Sequence, residues 1–509
     1  MTKTTANDSR IRHEIKMSEQ AFKDIILARL GIIVKDYQSA DLQKTLLEGC
    51  QKLQCSPERY LKLLQTTSHD DKVYEHLIEN ITIGETYFFR DKHQMALLEK
   101  TILPTLIRHK REKNNLSLRI WSAGCSSGEE IYTVAIMLTA LLPDLHRWSL
   151  HLLGTDINTK VLKKALIGEY TAWSMRAISE DVKMKFFTHD HRKNMFTLLP
   201  KIKAMAKFSY LNLSDDAFPM MFSETNAQDL ILCRNVLIYF NHEKTQLLMH
   251  RLSSSLAVDG FLLLGASDPI ITTGTHLTAY HHEGTTLSHL YVNQLKDVSS
   301  PKAAVPFEFP KRIKSSTPVF LLPPKKTASI LSQLQTLLAK EKWTDILATS
   351  EDTATNVKDR ALLFTAKATS AANLGKLGEA VNYCHVSLTL EPTNMQTYFT
   401  LAMSLIELNK IPEAKSALRK ALFLDHQFVI GHYQLGLLLI RNNEYPSGMR
   451  SLKNAVTLAK THPPKEEVKG FAGLTYGYLS EIFTKELELY QAGEGIDHGT
   501  KKISANNIS

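Results

Sequence analysis

The sharpest pattern of apolar and polar positions lies between residues 119 and 156. Ile120 and Trp121 end an apolar run, Ala123 to Gly128 carry little side chain, and Glu129 opens the helix-periodic stretch Ile131-Tyr-Thr-Val-Ala-Ile-Met-Leu. A second apolar run, Leu150 to Thr155, ends on Asp156. This predicts a buried strand, a turn of small residues, a helix and a second strand, the unit of an α/β sheet. In such a sheet the carboxyl ends of neighbouring strands face one crevice. Asp156 is therefore placed to accept hydrogen bonds from a ribose whose parent ligand lies over Gly124 to Gly128. Further apolar runs extend the sheet: one from Asp229 that ends near Arg234 and Asn235, one from Gly260 to Gly265, and Thr286 to Val292, which is expected to close it.

The loop also has a sign. It lacks a strict G-x-G-x-x-G, no phosphate-binding Lys follows the carboxylate, and Glu129 and Glu130 at a helix N-terminus would repel a pyrophosphate. A cationic ligand suits it better, and S-adenosylmethionine, with a sulfonium and an ammonium, fits. On this stretch alone, an ordinary strand–turn–helix whose acids only cap the helix stays open.

Upstream, residues 18 to about 80 read as short helices: one from Ser18, one over Asp41 to Leu53, and one capped by Ser56 with Pro57 at its first position. The tract Ile81 to Asp91 ends an aromatic cluster on Arg90, before a helix running to about His109. Gly168 to Tyr210 is irregular and reads as an insertion with a hairpin, which takes in the strand-like stretch that starts Lys207-Phe-Ser-Tyr-Leu. Its polar tip, His189-Asp-His191, is read as solvated rather than metal-binding, so no metal ligands are assigned.

Past residue 295 the architecture changes. A Pro- and Ser-rich linker, 296–326, carries seven basic residues against Asp297 and Glu308. Such a linker is expected to stay solvated, with few contacts crossing between the halves it joins. Then Lys376-Leu-Gly-Glu-Ala, Lys410-Ile-Pro-Glu-Ala and Glu444-Tyr-Pro-Ser-Gly recur every 34 residues, with Ala368, Ala402 and Gly436 in register. That period is the tetratricopeptide signature of two helices per repeat, and Ser329 to Ser350 should add a flanking pair. The expected division is a helical domain over 17–80, a catalytic α/β domain over 81–295 with a β-subdomain at about 168–210, the linker, repeats over 327–465 (361–394, 395–428, 429–462), and a helix and polar tail over 466–509.

Composition narrows the class. A chain of 509 residues is too long for one core. No window approaches the ~18 apolar residues of a membrane span, and residues 1–20 lack the apolar region of a signal peptide, so a cytoplasmic home is expected. Five scattered cysteines indicate neither disulfides nor zinc. The net charge of +9 sits partly in the linker, so nucleic acid is not expected as a partner.

Four separated motifs, Glu85-Thr-Tyr-Phe-Phe-Arg90, Trp121 to Glu130, Gly154-Thr-Asp-Ile-Asn158 and Cys233 to Phe240, resemble in order those of the CheR-type methyltransferases. These move a methyl group from S-adenosylmethionine to glutamate side chains of chemotaxis receptors. The resemblance covers about residues 18–292. It implies a Rossmann-like methyltransferase with an N-terminal helical domain and small β-subdomain, here followed by an all-α tetratricopeptide solenoid. It also implies that Thr86 and Arg90 contact cofactor and reaction centre, Glu129 the methionine ammonium, Asp156 the ribose, and Asn212 and Leu213 the adenine region. Gly124, Arg234 and Asn235 join the cofactor set, and Tyr239 lies beside the transferred methyl. Arg90 and Tyr239 are the catalytic candidates. The implied partners are a chemoreceptor cytoplasmic domain and a protein bound by the repeats. This chain departs from the family at Gly84, often Asn, and in helix 41–53, which is arginine-rich in many relatives but has Glu48, Gly49 and Gln51 here. A cofactor-binding scaffold, or methyl transfer to another carboxylate, remain the competing readings.

Overall fold

The computed structural model describes residues 2–66, 72–281, 289–293, 330–339 and 342–505, with a few short gaps inside these spans. The linker at 296–326 lies outside them. The N-terminal unit is helices α1 (Thr2–Leu30), α2 (Ser39–Lys52), α3 (Pro57–Thr66) and α4 (Lys72–Ile81). Helix α1 starts well before the expected Ser18, because no Gly or Pro interrupts residues 2–30. Gly31 stops it at φ +71, and a side chain there would strike Ser214. Phe22, Ile26, Leu46, Tyr60 and Tyr74 form the core of this unit. Gly49 belongs to that packing: a Cβ would lie 2.7 Å from the Tyr60 ring.

Helices α5 (Lys92–Leu97) and α6 (Leu103–Glu112) follow, joined by a π turn over Leu98–Ile102. Pro104 cannot donate a backbone hydrogen bond to the preceding turn, which accounts for the irregularity. The catalytic sheet and its helices come next in chain order: β1 (Ser117–Ala123), α7 (Glu129–Leu141), β2 (Ser149–Asp156), α8 (Thr159–Ile167), β3 (Glu169–Thr171), α9 (Glu180–Phe186), β4 (Phe187–Asp190), β5 (Met195–Leu198), α10 (Pro200–Lys203), β6 (Ala206–Tyr210), β7 (Gln228–Cys233), α11 (His242–Ser255), β8 (Leu256–Leu264), β9 (Leu277–His281) and β10 (His289–Asn293). The main sheet has the order β6-β2-β1-β7-β8-β10-β9, parallel through β8 and antiparallel beyond. Both faces are covered. Leu118, Ile120, Leu152, Leu230 and Phe261 pack on one side, and Trp121, Leu153, Ile231, Leu262 and Leu264 on the other.

Two sheet expectations need correction. The strand near 286–292 does not close the sheet, since β9 pairs outside it. The stretch from Lys207 belongs not to the insertion but to the main sheet as β6, paired in parallel with β2. Its Phe208 and Tyr210 are buried, so the edge position covers these side chains. The separate small sheet is β3-β5-β4.

Among the described residues the named elements of the C-terminal half are helices: α12 (Ile330–Ala339), α13 (Trp343–Ala348), α14 (Val357–Asn373), α15 (Leu377–Leu390), α16 (Met395–Glu407), α17 (Ile411–Leu424), α18 (Val429–Arg441), α19 (Tyr445–Thr461) and α20 (Tyr476–Ala505). Helices α14 to α19 form three tetratricopeptide pairs, with α12 and α13 as the flanking pair. At Gly436 a Cβ would lie 2.8 Å from Leu452, so the second helix of that pair approaches the bare backbone. Among the described residues no helix is long and apolar enough to cross a membrane.

The expectation that few contacts cross between the halves is overturned. The ends of the first helix in each pair all touch the catalytic half. Asn226 donates to the carbonyl of Asn373 at 3.4 Å, Arg119 pairs with Glu407 at 2.5 Å, and Arg441 pairs with Glu224 at 3.1 Å. These positions recur with the repeat, so one edge of the solenoid lies along the amino ends of β1, β2 and β7. Linker composition describes the linker and says nothing of the surfaces it joins.

Candidate functional site

The carboxyl ends of β1, β2 and β7 open into one cavity, roofed by the N-terminal helices through Leu30, Ile32 and Ile81. At its floor the chain leaves β1 through Gly124, whose φ is +79 and where a Cβ would lie 2.5 Å from Val236. The amides of Gly124 and Cys125 both donate to the Thr155 carbonyl, at 2.8 and 2.9 Å, which seals the loop against β2. Ser126, also at positive φ, donates its amide to Asp156 Oδ2 at 2.9 Å. The Asn158 amide donates to Oδ1 at 2.9 Å. Asp156 is thus fixed by two backbone donors. Burial pushes its carboxyl above the usual range, and those amides pull it back.

The opposite wall is organised by Arg234, at the end of β7. Its guanidinium pairs with Glu130 at 2.9 Å and donates to the Arg90 carbonyl at 2.7 Å, while Glu130 also accepts from Ser122 at 2.6 Å. Arg90 stands in a kinked loop, with Phe89 and Asp91 on either side at positive φ. One guanidinium nitrogen donates to the Glu85 carbonyl at 2.7 Å. Asn235, at φ +59, donates its amide to the buried carboxylate of Asp268 at 2.6 Å. Tyr239 ends a short 3-10 turn, and its carbonyl accepts from the Ile33 amide at 2.8 Å, tying the turn to the helical roof.

Of the residues singled out in the sequence, Thr86, Arg90, Gly124, Asp156, Asn212, Leu213, Arg234, Asn235 and Tyr239 all line this cavity. Glu129 does not. Its side chain, 2% exposed, turns back to accept from Ser127 at 2.8 Å and Ser174 at 3.0 Å, and the acid facing the cavity is Glu130. A helix turn rotates neighbouring side chains by ~100°, so adjacent acids cannot both face one wall. Asn158, the last residue of the Gly154–Asn158 motif, also lines the cavity and donates to Thr82 at 2.9 Å, a role the sequence pattern does not signal. Gln94 and Asp268, which brace Arg234 and Asn235, carried no signal in the sequence. At Gly84 a Cβ would lie 3.2 Å from Ser126 Oγ, and the Ser126 hydroxyl donates to the Gly84 carbonyl at 2.9 Å. The glycine therefore lets that hydroxyl sit against the backbone. The His189 ring stacks on Phe196, and the described residues contain no cluster able to hold a metal.

Glycine-lined backbone, an enclosed ribose-competent carboxylate, apolar walls from Leu211 and Leu213, and an acid at Glu130 suit a nucleoside bearing a cationic tail. A family model for the CheR methyltransferase S-adenosylmethionine-binding domain matches residues 84–284. The chemotaxis protein methyltransferase of Borreliella burgdorferi is 35% identical over 212 residues, 42% of this chain and 73% of that protein. That of Listeria monocytogenes is 31% identical over 253 residues, 49% of this chain and 89% of that protein. Among solved structures, the Arabidopsis OM64 tetratricopeptide domain covers 26% of this chain at 16% identity and a TM-score of 0.22. The motifs that converge on the cavity lie within residues 84–284, the span the family model matches, and the chain belongs to the CheR family of S-adenosylmethionine-dependent methyltransferases.

Proposed function

We propose that this chain esterifies glutamate side chains of chemotaxis receptors, working in the cytoplasm, with its repeats as the partner-binding half. The observation that carries this is the convergence of Arg90, Asp156, Arg234 and Tyr239 on one cavity. Asp156 would take the ribose hydroxyls, Asn212 and Leu213 the adenine side, and Glu130, rather than Glu129, the ammonium. Bound S-adenosylmethionine supplies an electrophilic methyl group on sulfur. A glutamate side chain, with an ordinary pKa of about 4.3, is already an anion at neutral pH, so no residue here has to act as a general base. What the chain supplies is orientation. Arg90 spends one nitrogen on Glu85 and directs further donors at the incoming carboxylate, while Tyr239 orders its approach.

The packing of Gly49 against Tyr60 supports reading helix α2 as structural, which shifts receptor docking towards other surfaces. The test is incubation of the full chain with methyl-labelled cofactor and receptor-containing membranes. Base-labile methyl esters on receptor protein are expected. Label confined to small molecules would favour another carboxylate, and no transfer with intact cofactor binding would favour a scaffold.

A further inference from the structure

Strand β6 is the edge of the main sheet, paired only with β2, so its outward backbone groups face no other strand. Helix α20, from the far end of the chain, covers that edge. Glu486 is fully buried and accepts hydrogen bonds from the Ser209 hydroxyl and, at 3.3 Å, from the Tyr210 amide. Five residues earlier, Glu481 accepts from the Tyr210 hydroxyl at 2.7 Å. Between them Lys485, 2% exposed, pairs with Glu75 of α4 at 2.6 Å.

These contacts stop one residue short of the cofactor cavity. Tyr210 is the register partner of Asp156, and the next amide, that of Leu211, donates to the Asp156 carbonyl at 3.2 Å. Leu211, Asn212 and Leu213 then form cavity wall. On the other side α4 leads into Thr82, which accepts from Asn158 at 2.9 Å. Helix α20 therefore holds both flanks of the Asp156–Asn158 turn. Water would serve as well to cap an edge amide. Burying a carboxylate to do so is costly unless cations are near: burial pushes the Glu486 carboxyl above its ordinary range, and the charges of Lys207 and Arg441 pull against that.

We propose that α20 is a positioning element of the cofactor site: Glu486, backed by Glu481, sets β6 so that Asp156, Asn212 and Leu213 meet the cofactor, which makes cofactor affinity depend on the repeat half. This rests on the cofactor assignment of the cavity. The test uses the full chain and calorimetric titration with S-adenosylhomocysteine. Glu486→Ala and Tyr210→Phe are expected to weaken binding about fivefold, the effect of one hydrogen bond in a buried setting. Glu486→Gln, which keeps an acceptor for Ser209 and the Tyr210 amide, should stay within about twofold of wild type. In turnover, KM for S-adenosylmethionine should rise more than kcat falls. A lowered melting temperature with unchanged affinity in Glu486→Ala and Tyr210→Phe would overturn the proposal and leave α20 a structural brace. Should Glu486→Ala fail to fold, Tyr210→Phe decides alone. Failure of the wild-type chain to bind would instead strike the cofactor assignment itself, and this inference with it.

Discussion

Arg119 of β1 and Glu407 of α16 form an ion pair 2.5 Å apart, with 5% and 3% of each residue exposed, across the junction of the two halves. The arginine lies two residues before Trp121, on the strand that ends at the cofactor loop. Its other nitrogens donate to the carbonyls of Glu224 at 2.9 Å and Asn226 at 3.1 Å. A charge in this position ties the repeats to the catalytic sheet at its amino edge, while α20 holds it near the carboxyl edge.

Arg119→Met should cost about 3–5 kcal/mol of stability at neutral pH, because Glu407 is left buried without its cation. Burial already holds the Glu407 carboxyl above the ordinary range, against the pull of Arg119. A carboxyl raised in the folded state takes its proton before the unfolded chain does, so the variant should recover stability as pH falls. Chemical denaturation at two pH values checks both statements.

His151 sits in the same junction, 3.1 Å from the Glu407 carbonyl, among Arg119, Glu224 and Arg441. Burial, and then the Arg119 charge, lower its pKa to about 4. From an unfolded value of about 6.5, the stability it contributes is complete above that pH and is lost as pH falls through about 4. The loss should reach about 2 kcal/mol, the ring being partly exposed. His151→Gln should show a shallower fall in melting temperature between pH 7 and 4.5 than wild type does. Parallel profiles would remove the histidine from the junction's pH response.

A chain ending near residue 296 should melt lower than the full protein and bind S-adenosylhomocysteine more weakly. It leaves the β6 edge and the ends of β1 and β7 without their covering. Equal affinity and equal melting temperature would restore two independent modules.

Asp156→Ala should weaken cofactor binding by roughly 1.5–3 kcal/mol, about ten- to a hundredfold or more, since a charged acceptor is lost. The Ser126 amide also loses its partner, so loop disorder contributes to the effect. Calorimetry with the fold checked by circular dichroism reads it, and unchanged affinity would move the ribose site elsewhere.

Arg90→Ala and Tyr239→Phe should lower kcat more than cofactor affinity, as contacts made to the reacting carboxylate act on the transition state. Neither side chain is part of a buried core cluster, so stability should change by less than about 1 kcal/mol. Matching losses of stability and turnover in both variants would show that they act through the fold.

Much of this protein is local, and what is local was legible in the chain. Strand–turn–helix periodicity located Gly124 and Asp156, because a parallel sheet forces carboxyl ends together whatever the rest of the fold does. The 34-residue recurrence of Ala368, Ala402 and Gly436 located the helix pairs, because each repeat packs mainly on its neighbour. Tertiary structure decided the rest. Whether Glu129 or Glu130 faces the cavity depends on a rotation about α7 that the hydrogen bonds of Ser127 and Ser174 to Glu129 settle. Phe208 and Tyr210 could alternate equally well in a hairpin or at a sheet edge, and the parallel pairing of β6 with β2 decides for the edge. The union of the halves through Arg119 and Glu407, or through Tyr210 and Glu486, joins residues more than 250 positions apart. Charge pairing of that range depends on where two surfaces meet, and no spacing along the chain encodes it.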